Sequence, residues 1–334
     1  MSEIARPYVL FLGDVPDALA AKTAYGITDW RRDWCVGQIR LPGCQADTGL
    51  PDMQIEQAFA AGARTFVIGA VNAGGVLPGH WVDSIVQALN AGLDVASGLH
   101  ARLQDNPAIK QAADAGGRLL HNVRRIEQAL PTGKGDKRPG RRLLTVGTDC
   151  SVGKKYTALA MERGMLERGM KASFRATGQT GVLISGRGLS IDAVVADFIS
   201  GAAEWVSPAN DDDHWDLVEG QGSLFHPSFA GVSLGLLHGA QPDAFIVCHE
   251  PTRTTMRGVR TPLPSIRQVI DATIAMGSLT NPSIRCTGLA VNTAALDEDA
   301  ARSVLDDLSK EHTLPVTDPV RFGVEDLVDE LRMV

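Results

Sequence analysis

Residues 143–159 read LLTVGTDCSVGKKYTAL, and their order decides the fold of the second half of the chain. The apolar run Leu143 to Val146 has the character of a buried strand. It stops at Gly147, five residues intervene, and Gly153-Lys154 then opens a helical pattern from Lys155 to about Arg168. Glycines let the backbone curl until successive N–H groups and the helix N-terminus converge on one point, and Lys154 adds a mobile positive charge. The stretch therefore predicts a phosphate cradle built from Gly147, Thr148, Asp149, Cys150, Ser151, Gly153, Lys154, Lys155 and Thr157.

Two details narrow its chemistry. The spacing between the glycines is one residue longer than in the usual phosphate-binding loop. Lys155 also stands where a Ser or Thr hydroxyl normally holds magnesium, with Thr157 two positions further on. No metal ligand is expected. Cys150 lies inside the loop, where N–H groups and Lys154 are expected to lower its pKa. Nothing adjacent supplies a base, so packing is its expected role rather than nucleophilic attack.

Further along, two more apolar runs end in polar loops. Asp216-Leu-Val-Glu219-Gly-Gln-Gly222 ends in an acid, and Ala244 to Cys248 leads into His249-Glu-Pro-Thr-Arg253-Thr-Thr-Met-Arg257-Gly-Val-Arg260. Parallel strands discharge their loops at one edge of the sheet, so Glu219, His249 and the three arginines are expected beside the cradle. Guanidinium groups grip carboxylates or phosphates bidentately, which implies an anionic ligand. A small-residue loop, Thr177-Gly178-Gln179-Thr180-Gly181, follows the strand expected at Ser173 to Ala176. Helices are expected near Ile191 to Trp205, Ser265 to Met276, Asp297 to Leu308 and Val324 to Arg332, with a strand at Thr287 to Asn292.

The first half alternates in the same way. Strands are expected at Tyr8 to Leu12, Thr65 to Ile68 and Leu93 to Ala96, with amphipathic helices at Met53 to Ala61 and Trp81 to Ala91. A polar glycine loop, Asn72-Ala-Gly-Gly75, follows the second strand. Residues 131–142, PTGKGDKRPGRR, hold five basic residues, three glycines and two prolines, a composition break expected to be a solvated linker. The prediction is an α/β chain of two mainly parallel sheets: a Rossmann-like domain over 1–130, a linker over 131–142 and a P-loop NTPase-like domain over 143–334.

Composition sets outer limits. The chain has 334 residues, 44% of them hydrophobic, and a net charge of −7, which argues against general affinity for nucleic acid or anionic membranes. Five cysteines with no CxxC pair suggest neither a disulfide framework nor a zinc knuckle. The N-terminal apolar run is too short for a signal-peptide core, so a cytoplasmic protein is expected. Chains of this class pair symmetrically, so a homo-oligomer is expected.

GTDCSVGK together with VEGQGS resembles the loop pair of dethiobiotin synthetases. A fuller resemblance, over nearly the whole chain, is to the D-glutamate N-acetyltransferase family represented by DgcN. It rests on NAGGVLPGHW (72–81), GLDVASGLH (92–100), GTDCSVGKKYTAL (147–159), ATGQTGVLISGRG (176–188), VEGQGSLFHP (218–227) and CHEPTRTTMRG (248–258). This likeness implies transfer of an acetyl group from acetyl-CoA to the amine of D-glutamate. The cradle would hold the coenzyme diphosphate, Glu219 or His249 would act as base, and Gln179, Thr180, Arg253, Arg257 and Arg260 would surround a small amino-acid substrate. Two alternatives stay open. One is a Mg-ATP-dependent ligase or carboxylase of the dethiobiotin synthetase type, with Asp149 and Glu219 around magnesium. The other is a coenzyme- or nucleotide-binding regulator without turnover.

Overall fold

Short aliphatic runs, each closed by a glycine or a polar turn, become the strands of two parallel sheets in a computed structural model of the chain, which describes residues 3–71, 73–126 and 129–332. Asn72 of the polar glycine loop lies outside the described residues. The chain divides into two compact units: Met1–Gln128 with Gln179–Ala193, and Ala129–Gly178 with Val194–Val334.

The first unit runs β1 (Tyr8–Gly13), α1 (Lys22–Arg31), β2 (Cys35–Arg40), α2 (Ile55–Ala60), β3 (Thr65–Ile68), α3 (Val82–Asn90), β4 (Asp94–Ser97), α4 (Pro107–Gly116) and β5 (Leu120–Asn122). Its sheet order is β2-β1-β3-β4-β5, parallel throughout. All six residues of β1 are buried, as a strand covered on both faces requires. The chain steps from β1 outward to β2 and then back across to β3. The order therefore reverses at β1/β3, and the two loops there leave the sheet in opposite directions.

The second unit opens with β6 (Arg141–Gly147), α5 (Lys154–Glu167) and β7 (Ala172–Arg175). The chain then makes α6 (Gln179–Ser185), which belongs to the first unit and packs there against α1. It returns for α7 (Ile199–Val206), β8 (Trp215–Val218), α8 (Ala230–Ala240), β9 (Ala244–His249), α9 (Ile266–Gly277), β10 (Arg285–Val291), α10 (Glu298–His312), β11 (Val316–Thr317) and α11 (Glu325–Leu331). The sheet order is β11-β10-β9-β6-β8-β7, again parallel, with β6 between β9 and β8. Among the described residues no helix is long and apolar enough to cross a membrane.

Two expectations need correcting. The helix foreseen from Ile191 starts only at Ile199. Before it, Ile191–Ala193 and Ala196–Phe198 are single 3-10 turns, and Val195 between them is extended. The basic stretch is exposed over 131–137, but Arg138 and Arg142 are not solvated. Arg138 donates to Ser207 O, Gly239 O and Gln241 Oε1, and fully buried Arg142 donates to the carbonyls of Arg138, Pro139, Gly140 and Pro208. Their guanidinium groups satisfy carbonyls beside the first strand of the second sheet.

Candidate anion-binding site

The loop after β6 closes tightly on its first glycine. A Cβ on Gly147 would lie 2.8 Å from Val152 Cγ2 and 3.2 Å from the carbonyls of Asp149 and Cys248, so a side chain there would force Val152 and the curl to shift. Val152 is buried beneath the loop, and Thr148 N donates to Cys248 O at 3.1 Å, stitching the turn to β9. Gly153 (φ +107) leads into α5 with open space on its Cβ side. Lys154 is buried, and its Nζ reaches back across the curl to Asp149 O at 2.6 Å. Burial pushes its ammonium below the usual lysine range. An anion settling on these N–H groups would meet that charge within the loop.

Asp149 is an acid in an anion cradle, and its surroundings neutralise it. Oδ2 accepts from Arg253 Nη1 at 2.8 Å and from Arg257 N at 2.7 Å. Burial raises its carboxyl, but Arg253 and the N–H donors outweigh that effect and hold it below the usual carboxylate range. Its Oδ1 is buried without a partner. Arg253 also donates to Cys150 O at 2.7 Å and pairs with Glu250, so it locks the loop after β9 onto the cradle. Arg257 Nη1 donates to Ser151 Oγ at 2.6 Å. Arg257 and Arg260 are exposed, and with Arg253, Thr255 and Gly258 they line a shallow hollow open to solvent.

Sequence reasoning did not single out His226. Its Nδ1 accepts from Ser228 N at 3.2 Å, so Nε2 carries the proton and donates to Arg257 O at 3.0 Å. Only its position in the quoted VEGQGSLFHP motif could have drawn notice to it. Asp149, Cys150 and His226 each bring one ligand-type atom within 4.8 Å of the others. Both His226 nitrogens are engaged, however, so coordination there would break one of these bonds.

Glu219 follows β8 and is buried. Its Oε2 accepts from Thr177 N and Gly178 N, both at 3.1 Å, while the Thr177 hydroxyl donates to Glu219 O and accepts from Gln221 Nε2. Burial raises its carboxyl pKa, and Lys155 and the two N–H groups oppose the rise. The next residue, Gly220, has no room for a side chain: a Cβ would fall 1.6 Å from Thr145 O, and its N–H donates to Thr145 Oγ1 at 2.9 Å. His249 Nδ1 lies 3.1 Å from Thr148 Oγ1, and burial pushes its imidazole pKa down. The second unit thus brings together the cradle, Glu219, His249 and Arg253.

The remaining candidates lie differently. The Thr157 hydroxyl donates to Gly153 O at 3.2 Å and accepts from the Cys248 thiol, so it faces the helix–strand packing. Lys155 is half-buried, its ammonium 4.8 Å from the Tyr156 ring centre. The Cys150 thiol corrects the sequence expectation: burial raises its pKa, and Lys154, Arg257 and Arg253 only partly offset that. Gln179 and Thr180 belong to the first unit, at the start of α6.

Residues 130–328 match the family model described as DUF1611_C, a P-loop domain of unknown function, and residues 39–126 match its Rossmann-like companion DUF1611_N. A protein of Tritonibacter scottomollicae named D-glutamate N-acetyltransferase is 53% identical over 99% of this chain and all of its own length. A second protein of that name, from a Pseudoalteromonas species, is 48% identical over 98% of this chain and 99% of its own. The crystal structure of a DUF1611 family protein from Anabaena variabilis superposes with a TM-score of 0.82 at 30% identity, covering 98% of this chain and 99% of that one.

Proposed function

The chain belongs to the DUF1611 family, a Rossmann-like domain followed by a P-loop domain, and from that premise we propose that it transfers an acetyl group from acetyl-CoA to the amine of D-glutamate. The observation that carries this reading is a glycine curl with Lys154 folded back onto Asp149 O, in a chain that matches proteins named D-glutamate N-acetyltransferase over nearly its whole length.

The residues suit a coenzyme A diphosphate. Its anionic oxygens find the N–H groups of the 147–154 curl and the Lys154 ammonium, and exposed Arg257 and Arg260 remain for a further phosphate or a substrate carboxylate. Bound there, the coenzyme supplies an acetyl thioester. Phosphoryl transfer fits less well, because Lys155 replaces the magnesium-holding hydroxyl and the Thr157 hydroxyl is committed to Gly153 O and Cys248. Glu219 holds the Thr177–Gly178 turn, and His249 braces Thr148 of the cradle. We assign both residues to keeping the loop in shape. The overall reaction balances as ammonium plus acetyl thioester giving acetamide, free thiol and one proton. The C–S bond breaks as the N–C bond forms.

The test is incubation with D-glutamate and acetyl-CoA, with and without EDTA, following thiol release, N-acetyl-D-glutamate by mass spectrometry, and ADP when ATP is added. Thiol release that needs D-glutamate and is indifferent to EDTA is expected. Magnesium-dependent ADP formation without acetylation would overturn the reading.

A further inference from the structure

Between Pro251 and Leu263 the loop after β9 carries three arginines and no acid. Thr255 pairs with Pro262 in an antiparallel bridge, Met256 N donates to Thr261 O at 2.8 Å, and Leu263 N donates to Thr254 O at 3.1 Å. The segment is therefore a short hairpin. Its tip closes with Val259 N on Met256 O at 3.3 Å, and Gly258 (φ +76) fills the third position of that turn, where a side chain would be strained. Met256 is 2% exposed and anchors the hairpin, while Arg257 and Arg260 are exposed at its tip.

The second unit holds this tip at three points. Arg257 N donates to Asp149 Oδ2 at 2.7 Å, Arg257 O accepts from His226 Nε2 at 3.0 Å, and the Arg257 guanidinium donates to Ser151 Oγ at 2.6 Å. His226 is buried, with its ring centre 4.6 Å from that of Phe229, so its donor is fixed in place. Cradle and hairpin thus form one surface of one unit.

Charge decides what that surface takes. Arg253 is already paired with Asp149 and Glu250. Among the described residues Arg260 has no hydrogen bond or ion pair, and the Arg257 guanidinium hydrogen-bonds only to the neutral Ser151 hydroxyl. Two uncompensated guanidinium groups therefore line a hollow of about 520 Å³, a volume within the ~300–1,000 Å³ of small-ligand sites. A carboxylate brings one negative charge, whereas a phosphate monoester carries about −1.5 to −2 near pH 7 and three acceptor oxygens. The monoester matches two free guanidinium groups in both charge and donors. A hollow open to solvent also suits an anchoring group, since reacting atoms need a dry site.

We infer that Arg257 and Arg260 hold the 3′-phosphate of the coenzyme and make the protein selective for coenzyme A over 3′-dephospho-CoA, with His226 as the residue that positions the tip. The inference rests on the acetyl-CoA reading above for the identity of the ligand. In that coenzyme the monoester sits on the ribose joined to the diphosphate. A diphosphate in the 147–154 curl therefore keeps the monoester close to the cradle, where the bond to Ser151 tethers Arg257.

The experiment is titration calorimetry on the full chain, with CoA, 3′-dephospho-CoA and adenosine 3′,5′-bisphosphate as probes. The native protein should bind CoA about 10- to 100-fold tighter than dephospho-CoA, as charge-assisted pairs provide. Arg260→Ala should weaken CoA and adenosine 3′,5′-bisphosphate by about tenfold or more and change dephospho-CoA by less than about twofold. Arg260→Lys keeps the charge and loses the planar fork, so it should retain part of the selectivity. His226→Asn should lower the ratio of CoA to dephospho-CoA affinity, which a role in fold stability alone would leave intact. Failure of CoA to bind, native affinities for CoA and dephospho-CoA within about twofold of each other, or an equal loss for both in Arg260→Ala would overturn the inference. So would an Arg260→Ala variant with a raised D-glutamate KM and unchanged CoA selectivity, which would give the arginine to the substrate carboxylate. If the chain acetylates no D-glutamate yet shows the selectivity, the function reading fails and this site stands. An active enzyme without the selectivity fails this inference alone.

Discussion

The loops after β1 and after β6 start from the same situation and end in opposite ones. Each follows a buried parallel strand that closes on a glycine, Gly13 or Gly147, and each carries an aspartate within two residues of it. Asp149 meets the Arg253 guanidinium and backbone N–H groups, so its charge is cancelled and the curl stays attractive to anions. Among the described residues the Asp14 side chain meets the His80 imidazole and the Trp81 indole and no guanidinium, so its charge is less fully offset. The same strand-end aspartate thus ends up in two electrostatic settings, depending on which donors surround it.

The harshest test of the anionic edge is Gly220→Ala. With a methyl placed on Thr145 O, we expect a loss of more than about 4 kcal/mol, or no folded second unit, in urea denaturation. Next comes the pair of aspartates. Asp149→Asn leaves Arg253 without its buried counter-charge and should cost about 3 kcal/mol at neutral pH. Because the folded carboxyl lies below its unfolded range, that stabilisation holds above the unfolded pKa and fades as pH falls through the folded one. Native and variant melting points should therefore converge in acid. Asp14→Asn, at a carboxylate 41% exposed and screened by solvent, should move the melting point in the same sense but far less. Equal shifts for both aspartates would erase the contrast between the two edges. Lys154→Ala should raise the acetyl-CoA KM by about 10- to 100-fold with the D-glutamate KM little changed. A smaller effect, confined to the pH profile, is expected from Glu219→Gln. The Glu219 carboxyl is raised by burial, so its contribution is full below the unfolded pKa and lost as pH climbs through the folded one. The variant should show a flatter stability profile between acid and neutral pH.

Strands were the most legible part of the sequence. Thr65–Ile68 appears with the expected bounds, and Ala244–His249 runs one residue past the apolar run Ala244 to Cys248, because buried parallel strands are unbroken apolar runs ended by turns. Helix α1 escaped notice because its buried face is Thr23, Ala24, Gly26, Ile27 and Thr28, residues too small and polar to mark a periodicity. Strand β2 escaped for a related reason, since it buries Gly37 and Gln38 beside Ile39. In the site, the glycine curl and Lys154 could be read directly, since spacing alone encodes them. The neutralisation of Asp149 could not, because its partners lie 104 and 108 positions away. Nor could the Asp14–Trp81 pairing, which spans 67.

The excursion of residues 179–193 bears on how the chain is made. Ile4 N binds Gly186 O, Ser190 Oγ binds Val123 O, and α6 lies on α1, so the N-terminal unit borrows its last pieces from beyond the cradle strand and helix. During synthesis that unit stays unfinished until residue 193 has left the ribosome, by which time the phosphate-binding curl has already been translated. A gene cut at the 128/129 junction would release an N-terminal product lacking one of its own helices.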